Sequence, residues 1–193
     1  MLYGVGLGLN KDLLTFKAVE VIKKVDEVIV PGKMAYDIVK DIREPTIVEF
    51  PMGKGKVVAQ KLAQELAQRD DDVAFCCIGD PTLYSTFQHL VNELLKIKSD
   101  AKFEIIPGVS SISCALAKSK IFINNSAYIT TQDFNEIDVA VVLKVKNPKI
   151  VEQKLRRMGF SKFVLLENMF MNEKIYYEMP ESSSYFSVMV AKK

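Results

Sequence analysis

The chain has 193 residues, of which 49% are hydrophobic and 26% charged, so it can bury one sizeable core or two small ones. The formal net charge is only +2, and 26 basic residues are scattered among 24 acidic ones, which argues against a nucleic-acid-binding protein. No apolar run reaches the ~18 residues that a membrane span needs, and the start lacks the cationic segment of a signal peptide. We therefore expect a cytoplasmic protein that does not bind membranes.

The first half of the chain alternates between strand and helix patterns. Strands are predicted over 2–7, 27–30, 46–50, 73–78 and 103–106. Helices are predicted over 13–24, 34–42 and 57–68 and over a segment that ends near 96, because apolar residues recur there at three- and four-residue spacing. This order predicts a mostly parallel sheet with helices on both faces. The almost wholly apolar run 73–78 is typical of a central parallel strand.

The pattern changes after about residue 120. Short strands are predicted over 128–130, 139–144, 163–166, 175–178 and 186–190. A single clear helix is predicted over 148–158, with Pro148 as its first residue. We interpret this part as a smaller, largely antiparallel α/β domain, and we expect an N-terminal domain of residues 1–110 and a C-terminal domain of residues 111–193.

The three cysteines are expected to be reduced thiols. Cys76 and Cys77 lie in the buried-looking run 73–78, and Cys114 lies on a predicted helix, so all three are interpreted as small core hydrophobes. The chain has one histidine, and no spacing of Cys or His suits a metal, so no protein-bound metal is expected.

Three predicted strands end in turns whose backbone is accessible, at 4–10, 79–82 and 107–111. Ligands of open parallel sheets bind beyond the carboxyl ends of the strands, so these turns are the candidate ligand site. Glycine permits close backbone approach there, and helix starts favour anionic groups. The first turn reads G-x-G-x-G instead of the dinucleotide pattern G-x-G-x-x-G, and the chain contains no P-loop motif.

The turn at 79–82 has both a local and a functional interpretation. Asp80 as a helix N-cap and Pro81 in the first helical turn would explain those two residues. They would not explain why Tyr84 and Phe87, with two hydroxyl residues between them, crowd the same segment. The segment is therefore a candidate for substrate or cofactor contact.

The stretches YGVGLG, LLTFKA, GDPTLYSTF, IPGVSS and YFSVMV together resemble the tetrapyrrole (corrin/porphyrin) methylase family, from residue 1 to about 190. The continuation LYSTF, with LKV at 143–145 and YFS at 185–187, is similar to members that methylate carbon 20 of precorrin-2 or cobalt-factor II. Enzymes for carbon 11 or 17 remain alternatives. A further alternative is a diphthine synthase-like protein methylase, since those enzymes are similar to this chain over its first ten residues. The last alternative is a protein that binds the cofactor but has no catalytic activity.

The resemblance implies a two-domain α/β enzyme that holds S-adenosylmethionine in a cleft between its domains. Carried over by position, the cofactor-binding residues would be Leu9, Gly79, Asp80, Leu83, Ser110, Ser111, Leu143, Lys144, Asn168 and Met169. Tyr84 and Asp80 are the candidate catalytic residues, since a base must remove the proton of the methylated carbon. His89 is expected to be a surface side chain.

The substrate implied by the resemblance is a tetrapyrrole macrocycle with eight carboxylates, and any cobalt would belong to that substrate. Such a ring calls for cations in a broad trough. The candidates are Lys11, Lys33, Lys54 and Lys56, although each has the alternative interpretation of an ordinary solvated lysine. Members of the family usually form homodimers, so a homodimer is expected here.

Overall fold

The structure is a computed structural model that describes residues 1–51, 53, 55–133 and 135–193. The chain divides into two compact units, Met1–Asn124 (unit 1) and Asn125–Lys193 (unit 2). Each unit has its own hydrophobic core.

Unit 1 is a parallel α/β unit. Its strands are β1 (Leu2–Gly6), β2 (Glu27–Val30), β3 (Thr46–Ile47), β4 (Val73–Cys77) and β5 (Phe103–Ile106). Its helices are α1 (Phe16–Lys24), α2 (Lys33–Val39), α3 (Gly55–Leu66), α4 (Thr86–Ile97) and α5 (Ser111–Ser119), with a short 3₁₀ helix at Lys11–Leu13. Across the described residues the strands form one sheet in the order β3-β2-β4-β1-β5, and every pairing is parallel. The predicted parallel sheet is confirmed.

Strand β4 lies at the centre of unit 1, and all five of its residues are buried. Its alternate side chains enter two different cores, Cys76 joining residues of α1 and α2 and Phe75 joining residues of α3 and α4. Because both faces of the strand are covered, its sequence is a continuous apolar run with no polar alternation.

Two helices begin later than their sequence pattern predicts. Helix α1 begins at Phe16, not at residue 13, because the Thr15 hydroxyl oxygen accepts a hydrogen bond from the Ala18 N–H at 3.1 Å and caps the helix there. Helix α4 begins at Thr86, after an extended Ser85. Asp80 is therefore not an N-cap and Pro81 is not in the first helical turn. That local interpretation was wrong.

Unit 2 is antiparallel. It contains β6 (Val139–Leu143), α6 (Pro148–Arg157), β7 (Lys162–Glu167), β8 (Lys174–Tyr176) and β9 (Ser187–Lys192). In the part of the unit that is described, the sheet order is β6-β9-β7-β8. Leu165 and Met189 from the sheet pack with Leu155 of α6 in its core. The smaller mixed α/β unit predicted from the sequence is confirmed.

The strand predicted over 128–130 is not among the strands of the structure, so that prediction is wrong. Local β-propensity alone does not decide whether a segment becomes a strand, because its effect depends strongly on the surrounding fold.

The carboxyl ends of β4, β1 and β5 meet in direct backbone contact, because these strands are neighbours in the sheet. The Gly79 N–H donates to the Gly8 carbonyl at 2.8 Å, and the Gly8 N–H donates to the Gly79 carbonyl at 3.3 Å. A Cβ added at Gly6 would overlap the backbone nitrogen of Gly108, and one added at Gly108 would overlap the carbonyl oxygen of Gly79. The three strand ends can approach so closely because these positions have no side chain.

The buried thiols are held in their neutral form. Cys76 and Cys77 are buried, and desolvation raises the pKa of Cys76 well above its ordinary value and that of Cys77 to about 12. Cys114 is only partly buried on α5. The core interpretation is confirmed for Cys76 and Cys77 and is wrong for Cys114.

Gly108→Ala should destabilise the protein, because its methyl group meets backbone atoms that cannot rotate away. We expect a loss of about 1–3 kcal/mol of unfolding free energy, measured by urea denaturation. Gly32→Ala is the matched control, since no atom lies within 4 Å of its added Cβ. Equal losses in the two variants would contradict the close approach of the strand ends.

One thiol should react rapidly with a disulfide reagent at pH 8 in the native protein, and all three should react in denaturant. The thiolate is the reactive species, and the pKa values of Cys76 and Cys77 lie far above that pH in the folded state. Counting released chromophore with time tests this. Cys114→Ser should abolish the fast native phase, whereas rapid reaction of three native thiols would refute the burial of Cys76 and Cys77.

Candidate functional site

The predicted site residues of unit 1 surround the three joined strand ends. Leu9 follows Gly8, which is bonded to Gly79, and its side chain is 41% exposed. Leu83 lies four residues beyond Gly79 and is 36% exposed. Gly79 and Asp80 lie at the end of β4. The structure therefore brings Leu9, Gly79, Asp80 and Leu83 together at one edge of the sheet.

Asp80 joins two of these strand ends through its carboxylate. Oδ1 accepts hydrogen bonds from the Thr82 N–H at 2.8 Å and from the Thr82 hydroxyl at 2.5 Å, and Oδ2 accepts from the Gly108 N–H at 3.0 Å. The bond to Gly108 spans 28 residues of sequence. Asp80 thus fixes the turn after β4 against the turn after β5. A carboxylate has about four acceptor positions, so further hydrogen bonds to a ligand remain open to it.

The third strand end leads into α5. The Ser110 side chain accepts from the Ser113 N–H at 3.3 Å, so Ser110 is the N-cap and Ser111 the first helical residue. The backbone N–H groups of this helix start lie two residues beyond Gly108, where they favour a partial negative charge.

Tyr84 and His89 differ in position and conformation. Tyr84 lies in the turn before α4, with a side chain that is 66% exposed and a φ of 49°. His89 is an exposed residue on α4, whose buried residues include Phe87 and Leu90, in agreement with the expected surface role.

The space at Gly79 fits a ligand that approaches the backbone. Apart from its two chain neighbours, no atom of the described residues lies within 4 Å of the Cβ position of Gly79, and its φ of +76° is one that side-chain-bearing residues rarely adopt. Open space therefore adjoins a bare backbone turn. Leu83 lies four residues further along the chain, and Leu9 directly follows Gly8, the bridge partner of Gly79. This is a suitable cradle for S-adenosylmethionine, which has both apolar and hydrogen-bonding groups.

Unit 2 contains a surface pocket of about 330 Å³. It is lined by Leu143, Lys144, Met169, Met171, Tyr185, Phe186, Ser187 and Val188. Three of the four site residues predicted in unit 2 line this pocket. The fourth, Asn168, lies beside it, and its N–H donates to the Phe186 carbonyl at 3.0 Å.

An aromatic pair and a lysine form one side of this pocket. The rings of Tyr185 and Phe186 lie edge to face with centroids 5.5 Å apart, and the Lys144 ammonium lies 5.3 Å from the centre of the Tyr185 ring. A hydrogen bond with the Tyr185 side chain raises the pKa of Lys144 above its ordinary value. The pocket therefore offers flat apolar surfaces and one positive charge, which suits a planar, hydrogen-bonding ligand.

Besides Gly79, three predicted site residues, each with a side chain, have left-handed backbone conformations. Besides Tyr84, these are Lys144 with a φ of 55° and Asn168 with a φ of 53°. Such conformations cost of order 1–3 kcal/mol for residues with a side chain, and they cluster at functional sites. Lys144 directly follows β6 and Asn168 directly follows β7, so each marks the point where a strand turns toward the pocket.

Three of the predicted substrate-binding lysines, Lys11, Lys33 and Lys56, are exposed on the surface of unit 1. Lys11 forms an ion pair with Asp41, and Lys33 forms one with Asp37 at 2.5 Å. Lys56 is exposed on α3, and Lys54 lies outside the described residues. Exposed ion pairs of this kind are weak, so a substrate carboxylate could compete for either lysine. The substrate role of these lysines stays a prediction.

The described residues contain neither a metal-ligating cluster nor a membrane-spanning helix. No group of three or more His, Cys, Asp or Glu side chains there is arranged to hold a metal ion. None of the helices described is both long and apolar enough to span a bilayer.

Tyr185 and Phe186, the aromatic residues of the pocket, were not predicted as site residues and belonged only to a resembling motif. Two adjacent aromatic residues directly before a strand were a usable signal. Thr82 and Gly108 lie in two of the turns predicted to form the ligand site, but their hydrogen bonds to Asp80 were not predicted. The bond to Gly108 is a contact between distant turns, which no local pattern encodes.

Comparison with known proteins agrees with this architecture. The model of the tetrapyrrole (corrin/porphyrin) methylase family matches residues 1–140. A curated protein of Methanocaldococcus jannaschii, named "Probable cobalt-precorrin-2 C(20)-methyltransferase", is 38% identical over 168 residues, which cover 75% of this chain and 72% of that protein.

Solved structures share the fold over the whole chain. Precorrin-6Y methylase (cbiE) of Archaeoglobus fulgidus superposes with a TM-score of 0.53 and 21% identity, covering 100% of this chain and 98% of that one. Uroporphyrin-III C-methyltransferase of Thermus thermophilus, solved in complex with S-adenosylhomocysteine, superposes with a TM-score of 0.50 and 18% identity, covering 100% and 97%. The chain belongs to the tetrapyrrole (corrin/porphyrin) methylase family and is an S-adenosylmethionine-dependent methyltransferase.

Proposed function

We propose that the protein transfers a methyl group from S-adenosylmethionine to carbon 20 of precorrin-2 or cobalt-factor II in cobalamin biosynthesis. The observation that carries the proposal is the 38% identity, over 75% of the chain, to a protein named for that reaction. The motif LYSTF and the segments LKV and YFS favour the same ring position. We further propose a cytoplasmic homodimer.

In this proposal, unit 1 contacts the cofactor mainly through its backbone. The bare turn at Gly79 and the start of α5 at Ser110 and Ser111 present peptide groups, and Leu9 and Leu83 present apolar surface. These contacts suit a ligand with an amino-acid end and a sulfonium. Asp80 supports them by fixing Gly108, and its carboxylate also complements a positive charge.

Unit 2 supplies the flat apolar surface that an adenine ring needs. The rings of Tyr185 and Phe186 and the side chains of Leu143 and Met169 line one pocket. Contact between an aromatic side chain and a nucleobase contributes ~1–3 kcal/mol. Asn168, beside the pocket, can hydrogen-bond to ring or ribose groups. We therefore propose that the pocket binds the adenosine part of the cofactor.

The reaction requires the protein mainly to position the methyl donor and the acceptor carbon. S-adenosylmethionine supplies a methyl group on a positively charged sulfur, which is already a good leaving group. Holding two reactants in line can lower the barrier by several kcal/mol without covalent help from the protein. The methylated carbon must then lose a proton, and Tyr84 and Asp80 are the side chains that we propose for that step.

The product should identify the ring position. Incubation with labelled S-adenosylmethionine and either cobalt-factor II or its metal-free form should add one methyl group to the macrocycle, and NMR should place it at carbon 20. Comparing the two substrates establishes which form is preferred. A methyl group at carbon 11 or 17 would contradict the proposed ring position. Labelling of a protein acceptor instead would favour a diphthine synthase-like activity.

Phe186→Ala should raise the Kd for S-adenosylhomocysteine about tenfold, because it removes an aromatic side of the proposed adenosine pocket. Phe186 is 64% exposed, so the fold should tolerate the change. Titration calorimetry measures the effect. Tyr177→Ala is the matched control, since Tyr177 is a 75% exposed aromatic residue of the same unit that does not line the pocket. An unchanged Kd in Phe186→Ala would remove this pocket from the cofactor site.

A further inference from the structure

We infer that Glu167 is a positioning residue for cofactor binding, because its carboxylate fixes the loop that carries Tyr185 and Phe186. The inference rests on the proposed function, in which these aromatic residues contact the adenosine part of the cofactor. Glu167 itself does not line the pocket, so it would act through the loop.

Hydrogen bonds are needed to hold this loop in one conformation, because its aromatic side chains are exposed and core packing does not fix them. Tyr185 and Phe186 lie between the buried Met179 and the buried Ser187, the first residue of β9, and both are more than half exposed. Contact with each other and with Lys144 does not bury them. Their positions are therefore set by the backbone of the loop more than by core packing.

Glu167, the last residue of β7, binds this backbone directly. Its Oε1 accepts a hydrogen bond from the Ser184 N–H at 2.6 Å, and its Oε2 accepts from the Tyr176 hydroxyl at 3.1 Å. One carboxylate thus connects β7, the neighbouring strand β8 and the loop directly before Tyr185. The hydrogen bond from Ser184 is the main reason that the pKa of Glu167 is lowered. The charged form is therefore the one that holds the loop.

Neighbouring bonds fix the loop on its other side. The Ser183 hydroxyl donates to the Val145 carbonyl at 2.6 Å, and the Ser183 N–H donates to the Lys146 carbonyl at 3.1 Å. The Ser184 hydroxyl donates to the Asn168 side-chain oxygen at 3.2 Å. The loop is thereby attached to the segments that follow both β6 and β7, which are the segments carrying Lys144 and Asn168.

Holding a binding loop in its bound conformation increases affinity, because less freedom is lost when the ligand binds. Without the Glu167 carboxylate, the Ser184 N–H loses its acceptor and the aromatic pair should sample several positions. The expected defect is in cofactor affinity. The chemical step should be spared once the cofactor is bound.

The experiment compares Glu167→Ala and Glu167→Gln with the wild-type enzyme. Glu167→Ala should raise the Kd for S-adenosylhomocysteine and the KM for S-adenosylmethionine about tenfold, the scale of one hydrogen bond to a charged group. The kcat at saturating cofactor should stay within about twofold. Glu167→Gln keeps an oxygen that can accept from Ser184, so its Kd should lie between those of wild type and Glu167→Ala. Glu178→Ala removes an exposed carboxylate of the same unit and serves as the control.

Hydrogen exchange supplies a readout that does not involve the cofactor. The peptide spanning 183–186 should exchange faster in Glu167→Ala than in wild type, whereas peptides of β7 and β9 should be unchanged. Should Glu167→Ala prove too unstable to purify, Glu167→Gln must still show an intermediate Kd with its kcat preserved.

The outcomes separate this inference from the proposed function. A wild-type Kd in Glu167→Ala, together with weakened binding in Phe186→Ala, overturns the inference alone. Wild-type affinity in both variants overturns the pocket assignment as well. Unchanged exchange of the loop peptide in Glu167→Ala, or a loss confined to kcat, would also overturn the inference.

Discussion

The close backbone contact among Gly6, Gly79 and Gly108 is the constraint on which the candidate site of unit 1 depends. Each of these glycines ends or follows a neighbouring parallel strand, and a side chain at Gly6 or Gly108 would overlap another turn. The contact leaves a surface at these strand ends that is composed largely of peptide groups. Asp80 completes the arrangement, because its carboxylate accepts the Gly108 N–H that the sheet does not use. Asp80 was predicted as a site residue from the family resemblance, and its hydrogen bonds give it a structural role as well.

The site of unit 2 is built differently. Its strands end in left-handed residues, Lys144 after β6 and Asn168 after β7, which turn the chain sharply at the pocket. Its aromatic residues, Tyr185 and Phe186, lie on a loop. Hydrogen bonds of Ser183 and Ser184 hold this loop in place. In unit 2, side-chain hydrogen bonds thus hold the candidate site in shape, whereas close glycine contacts do so in unit 1. Both solutions give a surface that is formed before a ligand binds, which is the condition for catalysis by positioning.

The sequence predicted the sheet of unit 1 well, because the apolar run at 73–77 and the alternation of strands and helices are strong local signals. Helix α1 was predicted three residues too early, since apolar spacing continued through the residues before the Thr15 cap. The strand predicted at 128–130 was wrong because β-propensity depends strongly on the surrounding fold and is a weak local signal. The strand ends were identified as the candidate site because parallel strands bring their carboxyl ends to one edge. The bond from Asp80 to Gly108 and the loop at 183–187 depend on contacts across the fold and were not predictable.

The two ways of building a site place different demands on the sequence. Backbone contact at Gly6 and Gly108 leaves no room for a side chain, so glycine is the residue type that fits at these positions. A loop held by hydrogen bonds admits several combinations of Ser, Asn, Glu and Tyr, because any donor and acceptor at suitable distances will serve. The fold of unit 2 can therefore persist while its sequence changes, and the residues that position its pocket must be identified from contacts such as the one between Glu167 and Ser184.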